Sequence, residues 1–417
     1  MTGVQTCALP ISGDARQRFK VCKALAVIGG AIGDTALQAE ATRDGEAIAE
    51  QLDDDTIRAW VCSTRALMAD RRGDRVEAGA MATRAIEYAE RSGEAVNAAL
   101  GHGELAWLAS ERGEVAIARE HIERGLFWAR HSAAKMASPS DDLYEIQLLL
   151  ILAQSYLVDY DYAMHEEISE RALALAERSH HRRVHASCHS FLSHSALAVG
   201  DVARAESHIE QFDALGRLVG VASMLALAHE HRSLLALATG NFEAAASGGQ
   251  AGAACYARVG SGALQARSLG FEAEGRWRAG DAAAARAVWQ QALALHESAD
   301  EPKEVSVCRL KIADVLRAEG DLAGALVLVR SEQAMLAADS ALNTSLGALG
   351  ARFAAWRVLQ AAGESDAADQ LAQTMAELTR RTAKIADPAV RARALTAWPL
   401  HREVIAAWNA ITSPARG

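Results

Sequence analysis

The residues best suited to chemistry in this chain are three histidines near its middle. His181, His185 and His189 are spaced four residues apart, and Cys188 lies beside the last of them. At this spacing they share one face of a predicted helix, where imidazole nitrogens and a thiolate can hold a transition metal. A metal site is therefore one hypothesis for the stripe, and a pH-responsive ligand contact is another.

One histidine of this stripe also belongs to a second pattern, which favours packing. His102, His189 and His229 each lie eleven residues before a glycine at a predicted turn. They therefore occupy equivalent positions, where a flat imidazole ring can pack against a partner helix as an aromatic ring would. We predict packing at these positions, with no metal ion and no cofactor.

Arginines near the histidines suggest the recognition of negative charge. A cluster of guanidinium groups can bind an acidic peptide or a phosphate, although ion pairs on solvated helix faces are more typical where Asp and Glu are abundant. Polar residues interrupt the apolar pattern in the central part of the chain, and there we predict a ligand groove on the inner helices. Its residues are Arg182, His185, His189, His229 and Arg232. Solvated ion pairs are predicted for a later group, Arg267, Arg276, Arg278 and Arg286.

Sequence signatures of catalysis are missing. The chain has no GxxxxGK[ST] loop for a nucleotide phosphate, no GxSxG and no HExxH. The nearest approach to the last of these is His165-Glu166-Glu167, which lacks the second histidine. The acidic run Asp53-Asp54-Asp55 is predicted to cap a helix that starts at Thr56, because carboxylates favour the positive end of the helix dipole. We predict that the chain is not an enzyme and has no catalytic residue.

The elements that must position these residues repeat with a period of forty. A glycine followed by an acidic or amide residue recurs at separations of 40, 40, 87, 40, 40, 40 and 43 residues. The long interval fits two units if Tyr160-Asp161 takes the place of a glycine turn. The spacing therefore gives nine units in total, and each is predicted to consist of a helix, a tight turn and a second helix. The glycines are Gly33, Gly73, Gly113, Gly200, Gly240, Gly280, Gly320 and Gly363.

Small residues recur seven positions before and five positions after these turns, as at Ala313 and Ala325. They allow two antiparallel helices to approach closely. This pattern resembles the tetratricopeptide repeat, whose unit is shorter, at about 34 residues. The resemblance covers Ala15 to Arg381 and implies an all-α solenoid of about nine helix-turn-helix repeats with an extended surface for protein binding.

The predicted domains are a repeat array over residues 13–382 and a capping helix and tail over residues 383–417, with a loop inserted at His131–Asp142. Residues 1–12, MTGVQTCALPIS, resemble the in-frame translation of a sequencing adapter. They are therefore predicted to be non-native and to contribute nothing to the fold.

The tail adds a second resemblance. Arg391 to Val404, RARALTAWPLHREV, is similar to the segment that ends the helical arrays of bacterial multidomain signalling ATPases, although Ala394-Leu395 departs from the usual Phe-Leu. The resemblance implies that the chain is the C-terminal sensor or scaffold fragment of such a protein, whose cyclase or other output module lies upstream. A fragment of a transcriptional activator of the same type, with its DNA-binding domain lost upstream, is the alternative.

Composition excludes other classes of function. The net charge of −10 leaves no basic excess for nucleic acid. The longest apolar run, Leu148 to Ala153, is too short to span a membrane, and the six cysteines form no CxxC pair. We predict a cytoplasmic, bacterial signal-transduction protein. Its expected partner is a protein or peptide, or the upstream domains of the same chain.

Overall fold

The computed structural model describes residues 14–32, 34–136, 142–179, 181–337 and 347–412. Two compact units, Met1–Ile151 and Leu152–Gly417, divide the chain. The described residues form helices and short turns, without a strand. The prediction of an all-α array of helix-turn-helix repeats is confirmed. None of the helices in these ranges has the length and apolar character needed to cross a membrane.

The described residues of the first unit contain six complete helices. They are α1 (Ala15–Ile32), α2 (Thr35–Leu52), α3 (Asp55–Arg72), α4 (Arg75–Ser92), α5 (Ala95–Arg112) and α6 (Val115–Met136). Asp54 caps α3 by accepting hydrogen bonds from the backbone of Thr56 and Ile57, as predicted for the acidic run. Helix α6 includes His131 and continues to Met136, so the first residues of the loop predicted at His131–Asp142 are helical; residues 137–141 lie outside the described residues.

The division between the units falls within α7 (Asp142–Val158). The second unit then continues with helices that pair in sequence order. They are α8 (Tyr162–Ser179), α9 (Arg182–Ala198), α10 (Val202–Val219), α11 (Ala222–Thr239), α12 (Phe242–Arg258), α13 (Gly262–Arg278), α14 (Ala282–Ser298), α15 (Pro302–Ala318), α16 (Leu322–Ser331), α17 (Gln333–Ala337), α18 (Ala348–Ala362) and α19 (Ala367–Thr382).

The turns within the predicted pairs lie where the sequence places them. Seven of the eight predicted glycines have a positive φ, and Tyr160, with φ of 56°, fills the missing turn. The eighth, Gly33, lies outside the described residues, as do residues 1–12. After Gly363 the prediction needs a correction, because α19 starts only at Ala367 and Glu364 does not cap it. Elsewhere the cap is direct: Asp281 Oδ1 accepts a hydrogen bond of 3.1 Å from Ala284 N.

Regular turns also lie between the pairs, and the spacing of the predicted glycines does not reveal them. Positive φ values recur at Asp53, Gly93, Gly220, Gly260 and Asp300. The period of forty therefore consists of two steps of twenty, each either a helix of 18 residues with a two-residue turn or a helix of 17 residues with a three-residue turn. The aspartates escaped notice because they take the left-handed conformation without being glycine.

Small residues set the spacing between helices. Ala313 and Ala325 are fully buried in one cluster with Leu310, Val329 and Val358, as their predicted positions require. At the pair α12 and α13, a methyl group on Gly249 would lie 2.3 Å from the backbone nitrogen of Glu272. The two backbones therefore come too close for any larger residue at this crossing.

The C-terminal segment corrects the prediction of a single closing helix. Two helices form, α20 (Pro388–Ala397) and α21 (Pro399–Thr412). Trp398 between them is extended, with φ of −86° and ψ of 136°. Pro399 explains the break, because a proline disfavours helical backbone in the residue before it.

Candidate functional site

The predicted histidine stripe forms contacts inside one helix pair. The ring centroids of His185 and His189 are 5.2 Å apart, and Nδ1 of His189 lies 3.1 Å from Nδ1 of His208 on α10. Burial, together with His208 and His185, lowers the pKa of His189 to about 4. The imidazole is therefore neutral near pH 7, and one of the two nitrogens donates while the other accepts.

The equivalent position in the first unit repeats this contact. Nδ1 of His102 lies 3.1 Å from Nδ1 of His121, and burial lowers the pKa of His102 to about 4. The pairing is present at two of the three equivalent positions, and packing there without a metal ion stays a prediction. In the described ranges, no group of three or more His, Cys, Asp or Glu residues is arranged to hold a metal ion.

The other predicted groove residues have separate surroundings. Arg182 is exposed in the first turn of α9. Arg232 donates to Asp213 on α10 at 2.6 Å, and Arg217 shares that carboxylate. Burial is the main cause of a lowered pKa at His229. The structure brings His185 and His189 together and gives Arg232 an acidic partner; a ligand groove formed by the predicted residues stays a prediction.

A denser set of charges, absent from the predicted site, lies on the first helices of three successive pairs. Glu274 on α13 accepts hydrogen bonds from Lys311 of α15 at 2.8 Å and from Arg278 at 3.0 Å. Burial alone would raise the pKa of Glu274, but the two cations and their hydrogen bonds outweigh it and lower the pKa to about 2. The carboxylate is therefore ionised under all physiological conditions.

The charge set continues to the next pair. Asp314 on α15 accepts from Arg317 at 2.8 Å and from Arg357 of α18 at 3.0 Å. We call this set the inner charge network. It consists of Glu274, Arg278, Lys311, Asp314, Arg317 and Arg357. The surface that it forms on α13, α15 and α18 is called the first-helix face.

Helix α21 packs beside α19 and contacts the first-helix face, where it adds an acidic residue to the network. Arg278 and Arg357 both donate to the carboxylate of Glu403, the latter at 2.6 Å. Val404, the next residue, is fully buried in a cluster with Leu349 and Phe353 of α18. A carboxylate between two arginines and an adjoining apolar contact therefore hold this helix.

Helix α20 fixes the end of this segment to a distant turn of the same unit. Arg393 Nε donates to the backbone oxygen of Val199 at 2.9 Å, and Trp398 Nε1 donates to that of Leu197 at 3.1 Å. Both acceptors lie at the end of α9. A methyl group on Gly200 would lie 2.6 Å from Cβ of Ala397, so the glycine permits this close approach.

One residue of this site, Arg278, belongs to the arginine group for which solvated ion pairs were predicted. For Arg278 that prediction is wrong. Arg286 is 39% exposed and pairs with Glu319, as expected of a solvated helix face. Arg278 is only 12% exposed and faces Glu403, which lies 125 residues away in sequence. The available signal was the glutamate of the HREV tail, an acidic residue directly before an apolar one on an amphipathic helix.

The chemistry of the site is recognition of a carboxylate. Two guanidinium groups converge on one acidic side chain, and each guanidinium is oriented by a second carboxylate on its own face. Charge-assisted hydrogen bonds of this kind are stronger and more directional than neutral ones. The arrangement is suited to binding an acidic residue of a helix.

Comparison with known proteins finds similarity in fold. No protein-family model and no curated protein matches the chain. A Rap protein, solved in complex with Competence and Sporulation Factor, has a TM-score of 0.65 at 11% identity over 89% of this chain and 99% of that one. Aspartyl phosphate phosphatase F from Bacillus subtilis gives 0.49 at 12% identity over 90% and 96%. A tetratricopeptide repeat protein from Parabacteroides merdae gives 0.39 at 13% identity over 69% and 98%. Only the first score exceeds 0.5, and it supports the helical repeat fold alone.

Proposed function

We propose that this chain is a non-catalytic interaction domain that binds a protein or peptide segment on the first-helix face. The observation that carries the proposal is the position of Glu403 between Arg278 and Arg357. A short amphipathic helix already lies there and makes the contacts that a bound peptide would make. The Rap protein of similar fold was crystallised in complex with Competence and Sporulation Factor, which is compatible with ligand binding by such an array.

The wider role is proposed from the tail resemblance at Arg391 to Val404. The chain acts as the cytoplasmic C-terminal sensor or scaffold of a larger bacterial signalling ATPase, with a repeat array over residues 13–382, a cap over residues 383–417 and an adapter-derived segment at residues 1–12. The alternative is a transcriptional activator whose DNA-binding domain lies upstream. The upstream domains of the same chain are then a possible partner, and the net charge of −10 disfavours direct binding to nucleic acid.

The test is selection of binding peptides from a displayed random library against the purified chain, followed by titration of selected peptides. We expect binders whose affinity falls at least ten-fold in Arg357→Gln and stays unchanged in Arg286→Gln, because only Arg357 belongs to the first-helix face. Reversal of charge at Arg182 and Arg232 tests the groove predicted from sequence in the same assay.

Two results would contradict the proposal. One is a library that yields no specific binder. The other is turnover of a nucleotide by the purified chain that a point change within residues 13–417 abolishes, because that would place catalysis inside the array.

A further inference from the structure

We infer that α21 is a displaceable occupant of the first-helix face, and that the partner's binding segment is an amphipathic helix with an acidic residue at the position of Glu403. This inference rests on the proposed function and adds the class of ligand and the means of its control. In the state described here the chain covers its own binding surface. A partner must replace α21 to bind.

The receptor side of this contact is organised without α21. Arg278 is held by Glu274, and Arg357 is held by Asp314, so both guanidinium groups keep an oriented partner when Glu403 leaves. Without Glu403, the inner charge network contains four cationic side chains and two carboxylates. Because positive charge is then in excess, the first-helix face is suited to binding another acidic group at the position of Glu403.

Helix α21 is held less firmly than the helices of the array. Val404 is its only buried residue, whereas ten residues of α15 are buried. Leu400 and Trp408 are partly buried against the same cluster, and Ile411 is 45% exposed. Its removal therefore exposes little apolar surface compared with removal of an array helix.

The break at Trp398 allows α21 to leave while α20 stays. Helix α20 keeps its own bonds, from Arg393 and Trp398 to the end of α9. The first turn of α21 is joined to α20 by only a few polar contacts. His401 Nδ1 donates to the oxygen of Ala394 at 2.9 Å, and Arg402 donates to that of Thr396 at 2.7 Å.

The contacts of α21 define the ligand. Leu400, Glu403, Val404 and Trp408 lie at positions i, i+3, i+4 and i+8, which share one face of a helix. A competing segment must repeat this pattern. It needs an aliphatic residue, an acidic residue three positions later, a second aliphatic residue directly after the acidic one, and an aromatic residue one turn further on. The acid supplies the partner for the two arginines, and the apolar residues cover the cluster on α18 and α19.

The test uses a fluorescent peptide of residues 399–412, PLHREVIAAWNAIT, as the probe. We expect weak binding to the full chain, and binding at least ten-fold tighter both to a chain ending at Trp398 and to full-length Glu403→Gln, in which the intramolecular contact is weakened. A probe that has glutamine at the position of Glu403 should bind the chain ending at Trp398 at least ten-fold more weakly than the unchanged probe does. Arg357→Gln in that chain should weaken binding of the unchanged probe by a similar factor, and Arg286→Gln should have no effect.

The full-length Glu403→Gln chain keeps the test valid if the truncated chain does not fold, as judged by its circular dichroism. Equal affinity of the probe for the wild-type and the opened chains would overturn the inference, because α21 would then cover nothing. Binding that ignores Arg357 would overturn the assigned face. Exchange of α21 between two copies, seen as a dimer of the wild-type chain in size-exclusion chromatography, would overturn the inference that α21 covers the face of its own chain. In all three cases, library peptides whose binding to the wild-type chain depends on Arg357 would leave the proposed function standing.

Discussion

The hydroxyl of Tyr160 donates a hydrogen bond of 2.8 Å to Glu377, across 217 residues of sequence. Tyr160 stands where other pairs of the array have a glycine turn, and it takes the left-handed conformation with φ of 56°. The side chain explains why a tyrosine is found there: its ring lies near the guanidinium of Arg381, which also bonds Glu377 at 2.8 Å. A tyrosine is less favourable than glycine in this left-handed conformation, but it forms a contact between the turn that joins α7 to α8 and helix α19.

The first prediction follows from this pair. Tyr160→Phe should lower the free energy of unfolding by about 1.5–3 kcal/mol, because Glu377 is buried and loses a hydrogen bond to a charged group. Tyr160→Gly should cost more, although it removes about 1–2 kcal/mol of left-handed strain. Urea unfolding measures both. A glycine variant more stable than the wild type would show that the contact contributes nothing.

The second prediction concerns Glu274, whose side chain is 18% exposed between Lys311 and Arg278. Glu274→Gln should lower the free energy of unfolding by about 3–5 kcal/mol at pH 7, because it leaves the buried Lys311 without its carboxylate and leaves Arg278 with Glu403 as its acidic partner. Glu319→Gln, which breaks the more exposed pair with Arg286, is the matched control and should cost under about 1 kcal/mol.

The pH dependence of the Glu274 effect has a definite sign. The pKa is lowered from 4.5 to about 2, so the stabilisation is complete above pH 4.5 and is lost as the pH falls towards 2. Between pH 7 and pH 3.5 the difference between wild type and Glu274→Gln should shrink by about 1–1.5 kcal/mol. Urea unfolding at both pH values measures it. A difference that grows on acidification would contradict the ionised state of this carboxylate.

The third prediction concerns His165, which is fully buried with its ring stacked at 5.8 Å from that of Phe191. Neither ring nitrogen has a hydrogen-bond partner among the residues that the structure describes. Burial and, to a smaller extent, His194 lower the pKa of His165 from 6.5 to about 3. His165→Leu should therefore stabilise the chain by about 1–3 kcal/mol at pH 7.5, because it removes unsatisfied buried polar atoms at similar volume.

Acid should increase the advantage of the leucine variant. A lowered histidine pKa means that the unfolded chain takes up the proton first, so wild-type stability falls as the pH drops below 6.5 and continues to fall towards 3. By pH 4.5 the gap between wild type and His165→Leu should widen by about 2.5 kcal/mol. Thermal unfolding at pH 7.5 and 4.5 checks this. A gap that stays constant would mean that His165 is protonated in the folded chain.

The fourth prediction concerns helix spacing. Ala313 on α15 and Ala325 on α16 are fully buried in one cluster, so leucine at either position should lower the free energy of unfolding by about 1–3 kcal/mol. Ala323→Leu, on the exposed side of α16, is the control and should change it by less than about 0.5 kcal/mol. Urea denaturation compares the three variants. Tolerance at both buried positions would mean that the helices do not meet there.

Local features of this fold were predictable from sequence because their causes lie within a few residues. The turn at Gly280 needs a left-handed residue followed by a capping aspartate, and both are adjacent in the chain. Ala313 and Ala325 could be placed as close-packing residues because small residues recur at their distances from the turn in most of the pairs. The turn at Asp300 was missed, since aspartate is also common outside the left-handed region.

Tertiary structure alone decided the site. Arg278 resembled any surface arginine with a glutamate four residues before it, and only the folded unit brings Glu403 against it from 125 residues away. The contact of Tyr160 with Glu377 has the same origin. Each helix pair adds a small rotation to the pair before it, and the partners of distant residues depend on the sum of these rotations. A periodic sequence determines one pair and its nearest neighbour, whereas the meeting of α21 with the first-helix face depends on all the pairs between them.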